Sequence, residues 1–360
     1  MNVIAAPAHP PRLLSRLDEI DTDWLTAVLR QSGHPDAELT GFVLTPIGAG
    51  NVSDTVRVDL THRQAGAEPP SLVCKFRCSG EQAHAHGISS GSYYREVGSF
   101  PAVAGACRTP RLYWIAGGYD NINLVMEDLS RVSRAGDQIA GCDLRDARAV
   151  VGELAKLHRT FYPMAAASAP DWAMTMAATA DYWSGAIANS LPLIRDVAAG
   201  DISEAEMATV AAAVAAAHRW YSLPVTRATL THGDPRVDNI LFLDHDDGSV
   251  EAVLIDWQMT GWRNPMHDVG YFLSGSVTRA DRRAHERDLL AYYAAVFGDG
   301  YPPEQITQDY RVQLLGGLMT TIAAYSLIPL TDPVKALLLA LLRRNLSAAI
   351  DWDSIAAIEG

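Results

Sequence analysis

The chain has 360 residues, more than one hydrophobic core usually supports, and its 48% hydrophobic and 20% charged residues are ordinary globular usage, which excludes disorder, collagen-like sequence and coiled coil. With 29 Lys and Arg against 42 Asp and Glu, the net charge of −13 opposes a phosphate backbone or an anionic lipid surface, so neither nucleic acid nor membrane is an expected partner. Cys74, Cys78, Cys107 and Cys142 are too few for a disulfide scaffold and lack the paired spacing of a zinc site, so they read as reduced thiols.

Residues 1–11 carry prolines where a secretory leader needs an apolar run, and the longest late apolar stretch, 336–342, is far below the ~20 residues of a membrane span. A cytoplasmic protein is expected. From 21 to 29 the spacing of Trp24, Leu25, Val28 and Leu29 predicts a helix, ended by Gly33, His34 and Pro35. Four short apolar or β-branched runs, 42–47, 52–60, 71–76 and 123–126, are separated by Gly, Pro and polar clusters and predict a small antiparallel sheet. Between the third and fourth, 90–104 predicts a helix with Tyr94, Val97 and Phe100 on one side and Glu96 on another face.

Past about residue 131 the composition turns to alanine-rich helix. Val150, Val151, Leu154 and Leu157 form one stripe of a helix over 147–161, and Ser203 with Glu206 is a capping box opening a helix to Trp220. One interruption follows: runs at 240–243 and 250–255 flank Asp246, Asp247 and Gly248, the turn chemistry of a β-hairpin. Helical periodicity returns over 288–296, 313–325 and 333–350. The expected class is α+β, a small β-rich N-terminal lobe over 1–129 and a larger helical C-terminal lobe over 130–360, joined near 127–134.

The chemistry is concentrated at residues 231–240. Asp234 is followed five positions later by Asn239, and Asp256 arrives 22 residues after Asp234, at the end of the second hairpin strand. A hairpin folds its two ends together, so Asp234, Asn239 and Asp256 should converge. Carboxylate and amide oxygens suit a hard divalent cation, with one carboxylate left to take a proton from a hydroxyl. Asp268 reads as a buried hydrogen-bonding strut for this loop, His84 and His86 as exposed polar filler in a strand or loop, and Asp128 as a possible helix cap in the second lobe. The run from Asp244 to Gly248 fails as a calcium loop, because the glycine falls at position five and no glutamate stands at position twelve.

His232, Gly233 and Asp234 with Asn239 resemble the catalytic loop of the aminoglycoside phosphotransferase and choline kinase superfamily, and Ile255, Asp256 and Trp257 resemble its metal-binding segment. The resemblance runs from about 47 to 273. Pro70 to Lys75, Met126 to Leu129, Gly136 to Gln138 and Leu154 to His158 are most similar to the ecdysteroid kinase-like branch. Two departures stand out: the loop at Gly48 and Gly50 has no third glycine, and Pro235 and Arg236 occupy positions where many members carry an aromatic residue.

What the resemblance implies is a two-lobed protein-kinase-like fold and magnesium-dependent transfer of the ATP γ-phosphoryl group to a hydroxyl of a small molecule. Asp234 would orient and deprotonate the acceptor, Asn239 and Asp256 would hold magnesium, and His232 would be an internal prop. Gly48, Gly50 and Ser53 would cover the phosphates; Lys75 would bind them, paired with Glu96; and the segment containing Glu127 would read the adenine edge through its backbone. The branch suggests a steroid- or lipid-like acceptor, while the acidity of the chain suits an aminoglycoside- or choline-like cation. Tyr182, Trp183, Trp262 and Tyr271 are candidate walls of the acceptor pocket. The rival from another class is a catalytically silent nucleotide-binding protein that works by interaction. Oligomeric state is not addressed by the sequence.

Overall fold

The computed structural model describes residues 10–49, 52–64, 66 and 68–358, and the chain divides into two compact units, one of 1–105 and 109–132, the other of 106–108 and 133–360.

The first unit opens with α1 (Thr22–Gln31), capped by Asp21, whose carboxylate accepts the Trp24 N–H. The strands β1 (Leu39–Ala49), β2 (Ser53–His62), β3 (Ser71–Arg77), β4 (Leu112–Gly117) and β5 (Ile122–Glu127) make an antiparallel sheet in the order β1-β2-β3-β5-β4. Strand β3 is therefore central and buried from Ser71 to Phe76, its side chains alternating between the two faces of the sheet. Leu72, Cys74 and Phe76 face the core with Trp24, Leu25, Val28 and Leu29 of α1; the Trp24 indole meets Trp114 edge-on at 5.5 Å. Lys75, one residue out of phase, points to the opposite face. Two helices, α2 (Glu81–Ser89) and α3 (Ser92–Val103), follow β3, and α3 packs on β4 and β5.

The second unit is mostly helical. Helix α4 (Leu144–Phe161) is capped by Asp143, α5 (Ala180–Val197) contains Pro192, and α6 (Glu204–Tyr221) starts at the Ser203–Glu206 capping box with both reciprocal bonds made. Between α4 and α5 lies a two-residue strand, β7 (Met174–Thr175), and β6 (Arg134–Ala135) precedes α4. After α6 come β8 (Thr229–Thr231), the hairpin β9 (Ile240–Asp244) and β10 (Val250–Leu254), β11 (Gly261–Arg263), and helices α7 (Met266–Ser276), α8 (Arg279–Phe297), α9 (Pro303–Gln313), α10 (Leu315–Leu327) and α11 (Asp332–Asp351). Its main core joins α5, α6, α10 and α11 through residues such as Ile187, Ile194, Trp220, Leu318, Ile322 and Leu342. Small sheets β10-β9-β6 and β7-β11-β8 bracket the loop that follows β8.

The antiparallel sheet, α1, the capping-box helix and the β9–β10 hairpin match the sequence reading. Three local expectations do not. The buried stripe of α3 is Tyr93, Glu96, Phe100 and Val103, so Glu96 lies on the inward face while Tyr94 stacks on Tyr119 at 4.1 Å. His84 and His86 belong to helix α2, and His84 Nδ1 lies 3.3 Å from the Tyr93 hydroxyl. Asp128 caps nothing in the second unit: its carboxylate accepts from Arg57 Nε (2.8 Å), Ser71 Oγ (2.6 Å) and Ser130 N (2.9 Å), all within the first. At the tip of the hairpin Asp247 accepts from Ser249 N and Oγ, and Asp244 pairs with Arg134 instead of a cation.

Candidate active site

Strand β8 leads into the loop at His232. Gly233 takes φ +88°, and a Cβ there would run into the Met259 carbonyl and the Arg263 guanidinium, so glycine is required on both counts. The loop backbone is held from below by α7: Asp268, fully buried, accepts the N–H of His232 (2.6 Å) on one oxygen and that of Gly233 (2.9 Å) on the other. His158 of α4 adds a third contact at 3.0 Å. Burial alone would raise the Asp268 pKa, but the hydrogen bond from His158 and the His267 ring 3.6 Å away outweigh it and hold the carboxyl far below the usual range. Asp268 is thus the strut anticipated for it.

His232 is an internal prop. Its Nδ1 accepts the Asp234 N–H at 3.3 Å, which makes Nε2 the protonated nitrogen that donates to the Ile255 carbonyl at 2.9 Å. The imidazole packs on the Trp257 indole with ring centres 4.6 Å apart. Loop, strand end and the residue after β10 are tied together by one side chain.

Of the three residues expected to converge, Asp234 and Asn239 bond to each other here, and the backbone brings Asp256 close by. Asn239 Nδ2 donates to the Asp234 carbonyl (2.9 Å) and to Asp234 Oδ2 (3.1 Å), which leaves the Asn239 amide oxygen as the acceptor end of that side chain. The hairpin brings the other strand back beside it: the Ile255 N–H donates to the Asn239 carbonyl at 3.1 Å, so Asp256 follows directly. Asp256 has φ +66°, a left-handed conformation that costs a non-glycine residue about 1–2 kcal/mol and re-aims its side chain out of the strand direction.

Two further residues touch Asp234. The Tyr271 hydroxyl, on α7 one turn after Asp268, donates to Oδ1 at 2.8 Å, and Arg236 Nε lies 3.1 Å from the same oxygen. Burial, followed by the Asp234 charge, pushes the Tyr271 pKa well above its ordinary value, so its hydroxyl stays a neutral donor. The Asp234 charge holds the Arg236 guanidinium above its already high value. Neither contact follows from the sequence reading, in which Tyr271 is an apolar wall and Arg236 a departure. The signal for Tyr271 was its position three residues after Asp268, on the same helix face. The other candidate walls disperse. Trp183 packs against the helical core, Trp262 Nε1 donates to the Met164 carbonyl at 2.9 Å, and Tyr182 lines a groove of about 480 Å³ with Asn189, Leu193 and Leu327.

In the first unit, Lys75 Nζ donates to Glu96 Oε1 at 2.7 Å, with both side chains buried. The alternation of β3 and the true face of α3 explain the pair: a lysine turned inward from a central strand needs an anionic partner, and Glu96 supplies it. Gly48 lies exposed at a register shift in β1, with open space where a Cβ would stand. Ser53 is buried at the start of β2 opposite Arg77, and Gly50 lies outside the described residues. The Glu127 carboxylate accepts the Arg111 N–H at 3.0 Å, and its own N–H donates to the Arg111 carbonyl at 2.9 Å.

The oxygens at Asn239 and Asp256 fit magnesium as a donor set, because that ion takes one or two protein carboxylates or amides and fills the remaining positions with phosphate oxygens and water. Among the described residues no group of three or more His, Cys, Asp or Glu could hold a metal ion.

A model of the ecdysteroid kinase-like family matches residues 51–300. No curated protein matches the chain by sequence. Among solved structures, a choline kinase from Cryptosporidium parvum Iowa II aligns with a TM-score of 0.54 at 9% identity, over 92% of this chain and 95% of that one. A spectinomycin phosphotransferase in complex with ADP and spectinomycin aligns with a TM-score of 0.52 at 9% identity, over 93% and 99%. The Plasmodium vivax ethanolamine kinase aligns with a TM-score of 0.50 at 9% identity, over 93% and 89%. At such identities the likeness is one of fold, the kinase-like fold of small-molecule phosphotransferases. No helix among the described residues is long and apolar enough to cross a membrane.

Proposed function

We infer that this chain, which belongs to the ecdysteroid kinase-like family, transfers the γ-phosphoryl group of ATP to a hydroxyl of a small molecule with the help of magnesium. The observation that carries the reading is the loop cluster in which Asn239 ties down Asp234, the hairpin returns Asp256 beside Asn239, and Asp268 pins the backbone beneath them.

Asp234 accepts the proton of the acceptor hydroxyl as that oxygen bonds to the γ-phosphorus. The bond from that phosphorus to the β–γ bridging oxygen breaks, ADP leaves with the electron pair, and Asp234 returns its proton to solvent. Asn239 and Asp256 would hold magnesium, which when bound neutralises charge on the phosphate oxygens. Lys75, oriented by Glu96, takes phosphate charge, with Gly48, Gly50 and Ser53 covering that group and the backbone at Glu127 meeting the adenine edge. Four free cysteines are consistent with the cytoplasm, where ATP is abundant.

The test is incubation with MgATP and a panel of hydroxylated steroids, aminoglycosides, choline and ethanolamine, read by ADP release and by the mass gain of one phosphoryl group. Asp234→Ala should lower turnover by roughly 10²- to 10⁴-fold, the usual worth of positioned acid–base catalysis, and Asp256→Ala should abolish magnesium-dependent turnover. Full activity in Asp234→Ala refutes its assignment.

A further inference from the structure

Tyr271 is neither on the catalytic loop nor part of the metal-binding pair, yet its buried hydroxyl ends on the one carboxylate expected to meet substrate. An ionised carboxylate offers about two lone-pair directions on each oxygen. On Asp234 Oδ1 both are taken, by the Tyr271 hydroxyl at 2.8 Å and by Arg236 Nε at 3.1 Å. On Oδ2, among the described residues, only Asn239 Nδ2 bonds well, at 3.1 Å, since Arg236 Nε lies 3.4 Å away and already points to Oδ1. The two oxygens are therefore not equivalent.

We propose that Tyr271 is a positioning residue that fixes the Asp234 carboxylate so that Oδ2, the oxygen with an unfilled acceptor direction, takes the proton of the acceptor hydroxyl. The inference rests on the reading of Asp234 as the proton acceptor. Helix α7 then holds the loop at two levels one turn apart. Asp268 fixes the backbone of His232 and Gly233, and Tyr271 fixes the rotation of the side chain that follows. Arg236 lies on the loop itself and moves with it, whereas Tyr271 is anchored in a helix whose every residue is buried. Orientation of this kind acts on the rate of transfer, because a carboxylate free to turn spends less time aligned with the hydroxyl.

The experiment uses the full chain with MgATP, first with the panel compound that wild type turns over fastest and then with water alone as acceptor, read by ADP release. Tyr271→Phe keeps the ring and removes only the hydroxyl. Expected are a fall in kcat of about 10- to 100-fold, the size of a lost hydrogen bond to a charged group, KM values for nucleotide and acceptor within about twofold, and a folded protein whose melting temperature falls by no more than a few degrees. Arg236→Gln removes the second Oδ1 donor without touching α7; it should also lower kcat, and the double variant should fall further than either single one. The proposal is overturned by an unchanged kcat in Tyr271→Phe, or by a loss that lies wholly in KM. If Tyr271→Phe melts early, an unchanged kcat in Arg236→Gln overturns it. Failure of the underlying reading looks different: wild type that phosphorylates no compound, or Asp234→Ala that remains fully active.

Discussion

Asp268 carries a buried charge that the fold needs and that the proposed chemistry does not touch. Its two oxygens hold consecutive backbone N–H groups of the loop after β8, so an amide at this position would turn an N–H₂ toward donors. Asp268→Asn should destabilise the protein by about 2–4 kcal/mol, the range between a lost charged hydrogen bond and a broken buried pair, read as a lowered urea midpoint at pH 7. The pH dependence has a definite sign. Because the folded pKa is depressed, the contribution is fully present above the ordinary carboxylate range near pH 4 and is lost as the pH falls below it. Wild type should therefore lose stability steeply on the acid side, and Asp268→Asn should show a shallower slope there; parallel slopes would contradict the assignment of this carboxyl as the depressed group. The strut was legible in the sequence as a lone aspartate after Asn264 and Pro265. The partner of Tyr271 was not, because a hydrogen bond between a helix and a loop 37 residues apart leaves no periodic trace.

At the scale of elements, what the sequence revealed depended on whether local chemistry or tertiary burial decided the outcome. The Ser203–Glu206 capping box is local, and both of its bonds form as read. Ser203→Ala should cost about 1 kcal/mol, seen as a small drop in melting temperature with turnover unchanged; a loss of turnover would mean that α6 does more than pack against α5. The hairpin was equally legible, since Gly248 adopts φ +80° in the turn that Asp246 and Asp247 announce. Helix α3 was misread because an inward glutamate interrupts the apolar stripe: periodicity counts hydrophobic residues, and Glu96 is buried by its bond to Lys75. Helix α7 escaped notice for the opposite reason. It is buried on all sides, so it has no polar face and no 3.6-residue contrast. Strand β4 is half-buried along its length, with neither alternation nor a continuous buried run to mark it.

For the molecule as a whole, the net charge of −13 bears on how a nucleotide binds. Free ATP is a polyanion entering a field of its own sign, and screening weakens but does not reverse that repulsion. In the first unit Lys75 is already paired with Glu96, so its charge is partly spent, and in the second unit the cation would be held by only Asn239 and Asp256. Tight binding should then require the metal to arrive with the triphosphate. A ligand that binds only the folded state stabilises it by about 2.7 kcal/mol at a hundred times its Kd, which makes melting temperature a direct reporter that needs no acceptor. ATP with magnesium should raise the melting temperature by several degrees, ATP with EDTA by far less, and Asp256→Ala should reduce the first shift to the level of the second. Equal shifts with and without magnesium in wild type would remove the ion from the proposed site. A magnesium-dependent shift in a protein that releases no ADP with any compound of the panel would mark a nucleotide binder without transfer, and Asp234 would then be a structural member of a loop that no longer acts.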